Sequence, residues 1–132
     1  MRSTVGWIFR GAALLAALLT TIQPVLGSFS FFRFGDAISY NTIHLVVGAG
    51  IYNLSLVLVL LAAFTRFQRR WLLLGLCIAQ YAALHGQLLL GLESRDNAQL
   101  LAYHIPLGVL ILLLSYLIAG LSFGLTMETQ RA

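Results

Sequence analysis

The chain has 132 residues, 60% of them hydrophobic and 9% charged, with mean hydropathy +0.92. A soluble domain carries about 25% charged residues, so this chain cannot cover a water-facing surface, and lipid must solvate most of its outside. The net charge of +4 rests on eight arginines and no lysine. They sit at the ends of apolar runs and form no aromatic-interleaved basic stripe, which argues against nucleic acid as a partner.

Crossing the hydrocarbon core takes about 20 apolar residues. Four runs qualify, at about 11–27, 42–64, 71–91 and 100–123. The first, GAALLAALLTTIQPVLG, also has features of a signal peptide, with Arg2 and Arg10 ahead and small residues near its end. It is read here as a retained span. Polar, turn-like segments separate the runs: SFSFFRFGDAISYN, TRFQRR and LESRDNAQ. The length leaves no separate soluble module, so the chain is one domain. The expected fold is an all-α membrane protein, an antiparallel four-helix transmembrane bundle.

Orientation follows the arginines. Arg66, Arg69 and Arg70 occupy the central loop, with Arg2, Arg10 and Arg131 on the same side. The other side holds Arg33 and Arg95 against Asp36, Glu93 and Asp96. The positive-inside rule then places both termini and the central loop in the cytoplasm, in an inner (plasma) membrane. Trp7 and Trp71 fit a cytoplasmic aromatic belt, Tyr40 and Tyr103 the opposite one.

The two halves resemble each other. Gln23 to Gly27 reads QPVLG and Gln87 to Gly91 reads QLLLG, 64 residues apart (87 − 23). A polar loop follows each, then HLVVG (His44 to Gly48) and HIPLG (His104 to Gly108), 60 residues apart (104 − 44). Ser55 with Ser115 and Asp36 with Asp96 share the second offset. The ordered set implies two pseudo-symmetric helical hairpins related by an axis along the membrane normal. His44 and His104 then lie at one depth, near the outer face, on opposite sides of that axis.

An ionisable side chain inside a membrane span is costly and usually faces the bundle interior. One reading of such a histidine is an interhelical hydrogen bond that only aids packing. The other is metal ligation: two opposed neutral imidazoles are the axial ligands of a haem iron. Gly48 and Gly108 lie one turn deeper on the same faces, where a missing side chain leaves room for a porphyrin edge or for close helix packing. Arg33 and Arg95, one per hairpin, are the outer-side cations available to propionates, or else solvated loop charges. His85 breaks the symmetry, since Thr21 is its counterpart (85 − 64). It reads first as a hydrogen-bonding residue, then as a quinone or propionate contact. Three histidines allow at most one bis-histidine haem. Gln80, Gln87 and Asn53 read as interhelical hydrogen-bonding groups and Cys77 as a small core residue. No zinc spacing, nucleophile with a base, or phosphate loop is present.

From about Gln23 to Gly120 the pattern resembles one four-helix half of the haem A synthase family. The family's helix ends read like QPVLG and QLLLG, and its fourth helix like HIPLG. The plan is also similar to that of small four-helix bacterial membrane proteins. The first resemblance implies a haem-binding bundle with His44 and His104 at the ligand positions. That family carries a glutamate within about a turn before a ligand histidine, whereas SYNTI precedes His44 and LLAY precedes His104 here. Haem hydroxylation is therefore not expected. The expectation is a membrane protein binding one haem b through His44 and His104, with Gly48, Gly108, Arg33, Arg95 and His85 around the cofactor. It would serve electron transfer or haem handling, not act as an enzyme by itself, and would be a subunit of a larger redox complex with quinone as a further partner. The alternative is a cofactor-free structural or assembly subunit.

Overall fold

A computed structural model describes residues 2–32, 37–94 and 97–125. Four α-helices follow one another: α1 (Arg2–Phe32), α2 (Ala37–Phe64), α3 (Arg70–Glu93) and α4 (Leu101–Gly124), with a single 3-10 turn over Ala98–Leu100 before the last. Each contains a segment long and apolar enough to cross a membrane: Thr4–Phe29, Tyr40–Phe64, Arg70–Glu93 and Leu101–Gly124. The chain is a multi-pass, four-helix membrane bundle.

The helices overrun the apolar runs read from the sequence. α1 begins at Arg2 rather than Gly11 and continues past Gly27, and α2 begins at Ala37 rather than Thr42. A backbone leaving the hydrocarbon keeps its internal hydrogen bonds at no penalty, so a helix extends beyond the residues that lipid composition selects. Pro24 and Pro106 lie inside α1 and α4, where a membrane helix tolerates the lost backbone donor.

The helices form a ring. α1 and α3 each pack on α2 and α4, while the diagonal pairs make no close backbone approach among the described residues. Side chains fill the centre in layers. One apolar layer holds Phe9, Ala13, Ala16, Ala17, Leu58, Ala62, Phe67, Leu73, Cys77, Ile118 and Ala119. The alanines let the helices approach closely, as packing in lipid favours. The other apolar layer is built on Ile51, Leu84 and Ile111.

Between these layers each helix contributes one buried polar residue: Thr20, Ser55, Gln80 and Ser115. The Gln80 amide donates to the Ser115 hydroxyl at 2.6 Å, and Ser115 donates to the Ile111 carbonyl at 2.8 Å. Thr20 donates to the Ala16 carbonyl at 2.6 Å and lies 3.3 Å from the Ser115 oxygen. Ser55 donates to the Tyr52 carbonyl at 2.7 Å.

Arg10 closes the end of the bundle that carries the α2–α3 connection. Its Nε donates to the Ser122 carbonyl at 2.8 Å and its Nη2 to the Leu125 carbonyl at 3.0 Å. The guanidinium lies over the rings of Trp7, Phe67 and Phe123, 4.7 to 5.7 Å from their centres. Phe67 in turn packs edge-on against Phe9. A helix C-terminus leaves carbonyls unpaired and carries partial negative charge; a buried cation meets both needs. The sequence reading counts Arg10 as a flanking charge, but it is a structural cap only 9% exposed.

Arg10→Leu removes two charged hydrogen bonds and three ring contacts, and should destabilise the bundle by on the order of 2–3 kcal/mol. Reversible unfolding in mixed micelles measures this; Arg66→Leu, at a partly exposed loop position, serves as the control and should change stability far less.

Candidate functional site

The end of the bundle opposite Arg10 is built from late α1, early α2, late α3 and early α4. His44 and His104 meet there, their ring centres 6.5 Å apart and their planes inclined at 62°. Both are partly buried. The structure brings the two rings together edge-on.

Two glycines make the room. A Cβ on Gly27 would stand 3.2 Å from Cε1 of His44, and one on Gly91 would stand 3.0 Å from Cε1 of His104. Each imidazole therefore lies in a notch that any larger residue would fill. Both notches come from the QPVLG and QLLLG segments, which the sequence analysis used to define a repeat but not to seat a histidine. Gly48 and Gly108, read from the sequence as space beside a porphyrin, receive a different group. The amide nitrogen of Gln23 lies 3.3 Å from the Cβ position of Gly48, and that of Gln87 lies 3.1 Å from the Cβ position of Gly108. Same-face spacing on one helix located the gap, but the neighbouring helix decides what occupies it.

Gln23 also holds the histidine-bearing turn of α2. The Gln23 amide donates to the main-chain carbonyl of His44 at 3.1 Å. The main chains of Gln23 and Gln87 lie beside the rings of His44 and His104 respectively. Neither ring completes a hydrogen bond through Nδ1. Four buried polar atoms at this end lack a partner: Nδ1 of both histidines and Oε1 of both glutamines. Elsewhere among the described residues the only such atom is Oε1 of Gln80. Buried polar groups are nearly always satisfied, and in hydrocarbon the cost of leaving one unpaired is high.

The donor set is two imidazoles. Among the described residues no three His, Cys, Asp or Glu side chains gather around a common point to hold a bare metal ion. A metal whose other positions are filled by a macrocycle needs only an axial pair. Two imidazoles bonded to one metal at about 2.0–2.1 Å place their ring centres roughly 6 Å apart, close to the separation found here. A neighbouring main-chain carbonyl is the usual acceptor for the N–H of a ligating imidazole, freeing the other nitrogen for the metal.

The remaining sequence-predicted residues divide. His85 lies away from the pair, on an exposed face of α3, within hydrogen-bonding distance of Tyr52. Arg33 and Arg95 lie outside the described residues. A comparison of the chain with family models, with curated proteins and with solved structures finds no match.

The notches yield a contrast. Gly27→Ala and Gly91→Ala each force an imidazole to shift, and should destabilise by about 1–3 kcal/mol through overpacking. Gly75→Ala and Gly120→Ala meet nothing within 4 Å and should be stabilising by about 0.5–1 kcal/mol through helix propensity. Unfolding midpoints of the four variants, measured side by side, test the assignment of the notches.

Proposed function

We propose that this chain is a haem b-binding membrane protein in which His44 and His104 are the two axial ligands of one iron. The facing imidazole pair carries the reading. It is spaced for a shared metal and seated in glycine notches at one end of the bundle.

The donor chemistry supports the same conclusion. Two neutral nitrogen ligands suit an iron held by a porphyrin, and such a site tunes a one-electron couple through its axial ligands and burial. When bound, the haem would supply reversible one-electron transfer. This chain's own residues do the rest. Gln23 fixes the turn that carries His44, and the main-chain carbonyls beside the rings favour the tautomer with Nε2 free. Gly27 and Gly91 set how far each ring withdraws from the bundle axis. Arg33 and Arg95 are assigned to the propionates on the strength of their charge and their position in the outer loops.

The equivalent glycine–histidine and glutamine–glycine contacts in the two halves support an antiparallel bundle of two hairpins related by a pseudo-two-fold axis. Resemblance to one half of the haem A synthase family agrees with that plan. The missing carboxylate before either histidine favours electron transfer or haem handling over haem modification. We place the protein in an inner (plasma) membrane as a subunit of a larger redox complex. The arginine-rich end, with Arg66, Arg69 and Arg70, faces the cytoplasm with both termini.

The test of ligation is haem per protein in His44→Ala, His104→Ala and the double variant. The wild type should hold one haem with a b-type absorption spectrum. Each single variant should give a five-coordinate haem or none, the double variant none, and His85→Ala should retain the haem. Full occupancy in the double variant refutes the assignment, and a colourless wild type, reconstituted with haem and still unable to bind it, leaves a structural subunit. Topology has its own test. A cysteine at Ser94 should react with an impermeant reagent in intact cells and one at Gln68 only after permeabilisation; the reverse pattern would invert the orientation.

A further inference from the structure

Tyr52, Tyr81 and His85 form a second polar cluster, distinct from the histidine pair and on the outer surface of the α2–α3 face. The two tyrosine rings stack with centres 4.9 Å apart and planes inclined at 25°. Their hydroxyls are 2.6 Å apart, and the Tyr52 hydroxyl is 3.3 Å from Nδ1 of His85. Tyr52 and Tyr81 are partly exposed and His85 is exposed. All three lie within the spanning segments, where an ionisable residue marks a functional site by default.

The hydrogen bonds in this cluster do not close. If Tyr81 donates to Tyr52 and Tyr52 donates to Nδ1 of His85, then Nε2 of His85 carries an N–H toward lipid. If the chain runs the other way, Nδ1 donates to Tyr52 and Tyr52 to Tyr81. The Tyr81 O–H is then left over, and Nε2 becomes an acceptor. Either direction leaves one donor to a solvent that accepts no hydrogen bond. The α1–α4 face offers the contrast. There Thr21 donates to the Ala17 carbonyl at 2.8 Å and lies 2.9 Å from the Tyr116 hydroxyl, so both protons are used.

A molecule that completes the open chain must reach it through hydrocarbon, accept a hydrogen bond in one state and donate one in another, and lie flat against aromatic rings. We propose that this cluster binds the headgroup of a lipid-soluble quinone. A quinone carbonyl accepts from Nε2–H in the first arrangement; in the second a quinol hydroxyl donates to Nε2 and a quinol oxygen accepts from the Tyr81 O–H. The stacked tyrosines supply an aromatic wall beside it. The cluster lies eight residues along α2 from His44 (52 − 44) and six along α3 from Gly91 (91 − 85), or roughly 12 Å and 9 Å of helix rise. Binding is independent of the histidine pair; only its relevance to a haem rests on the function proposed above.

The experiment uses the purified full-length chain in detergent and a photoreactive benzoquinone with a short isoprenoid tail. Labelled residues are mapped by mass spectrometry, with an unreactive short-tailed quinone as competitor. Labelling should fall on α2 and α3 around the cluster and be competed away. It should weaken by about tenfold in His85→Ala and in Tyr52→Phe, with haem content unchanged. It should persist in the His44→Ala, His104→Ala double variant, which separates this claim from haem ligation. Equal labelling of wild type and cluster variants, or labelling confined to other positions, overturns the proposal. So does efficient disulfide crosslinking of a His85→Cys variant to a second copy or another subunit, which would show a protein partner covering this face.

Discussion

Hydrocarbon offers a buried polar group nothing to bond with, and the organisation of this bundle follows from that constraint. Helices satisfy the backbone internally, and the outward faces carry Leu, Ile, Val and Phe. The polar side chains that remain must find partners inside. Most do so locally: Thr20, Thr21, Ser115 and Asn53 each bond to the carbonyl four residues back. Gln80 reaches across to Ser115 and ties α3 to α4 at the level of the mid-bundle layer. Arg10 meets the hardest case, a buried cation, by taking two end carbonyls of α4 and three aromatic faces.

Against that economy the far end of the bundle is an exception. Four polar atoms there, from His44, His104, Gln23 and Gln87, are buried and unpaired. Natural structures depart from polar satisfaction where function requires it. His44 and His104 stand at the centre of that departure. The glycine notches matter because they make the arrangement specific. Without them a side chain on α1 or α3 would crowd each ring. The outer cluster at Tyr52 and His85 is a second departure of the same kind, a hydrogen-bond chain that ends in lipid.

Much of this was legible in the amino-acid sequence. Run length and charge located four helices, because lipid solvation imposes a composition that no soluble chain shares. The repeated histidines were visible because both recur in the same order after the same helix-end pattern. What fills the gap over a glycine was not legible. Gly48 and Gly108 read as room for a porphyrin edge or for close packing; the side chains over them, Gln23 and Gln87, come from other helices. Gly27 and Gly91 carried no signal of their own, since glycine is common in membrane helices and its meaning depends on which ring lies opposite. Arg10 read as a flanking charge because a positive-inside count cannot distinguish a solvated cation from one folded over a helix end. The Tyr52–Tyr81 stack left no signal because its members are 29 residues apart on two helices.

The account rests on His44 and His104 sharing one iron, and the electron paramagnetic resonance spectrum of the oxidised, purified protein addresses that most directly. Two axial imidazoles impose a strong ligand field and a low-spin ferric signal, which should convert to a high-spin signal or vanish when either histidine is replaced by alanine. A high-spin spectrum in the wild type, or a low-spin spectrum that survives loss of both histidines, would contradict the account.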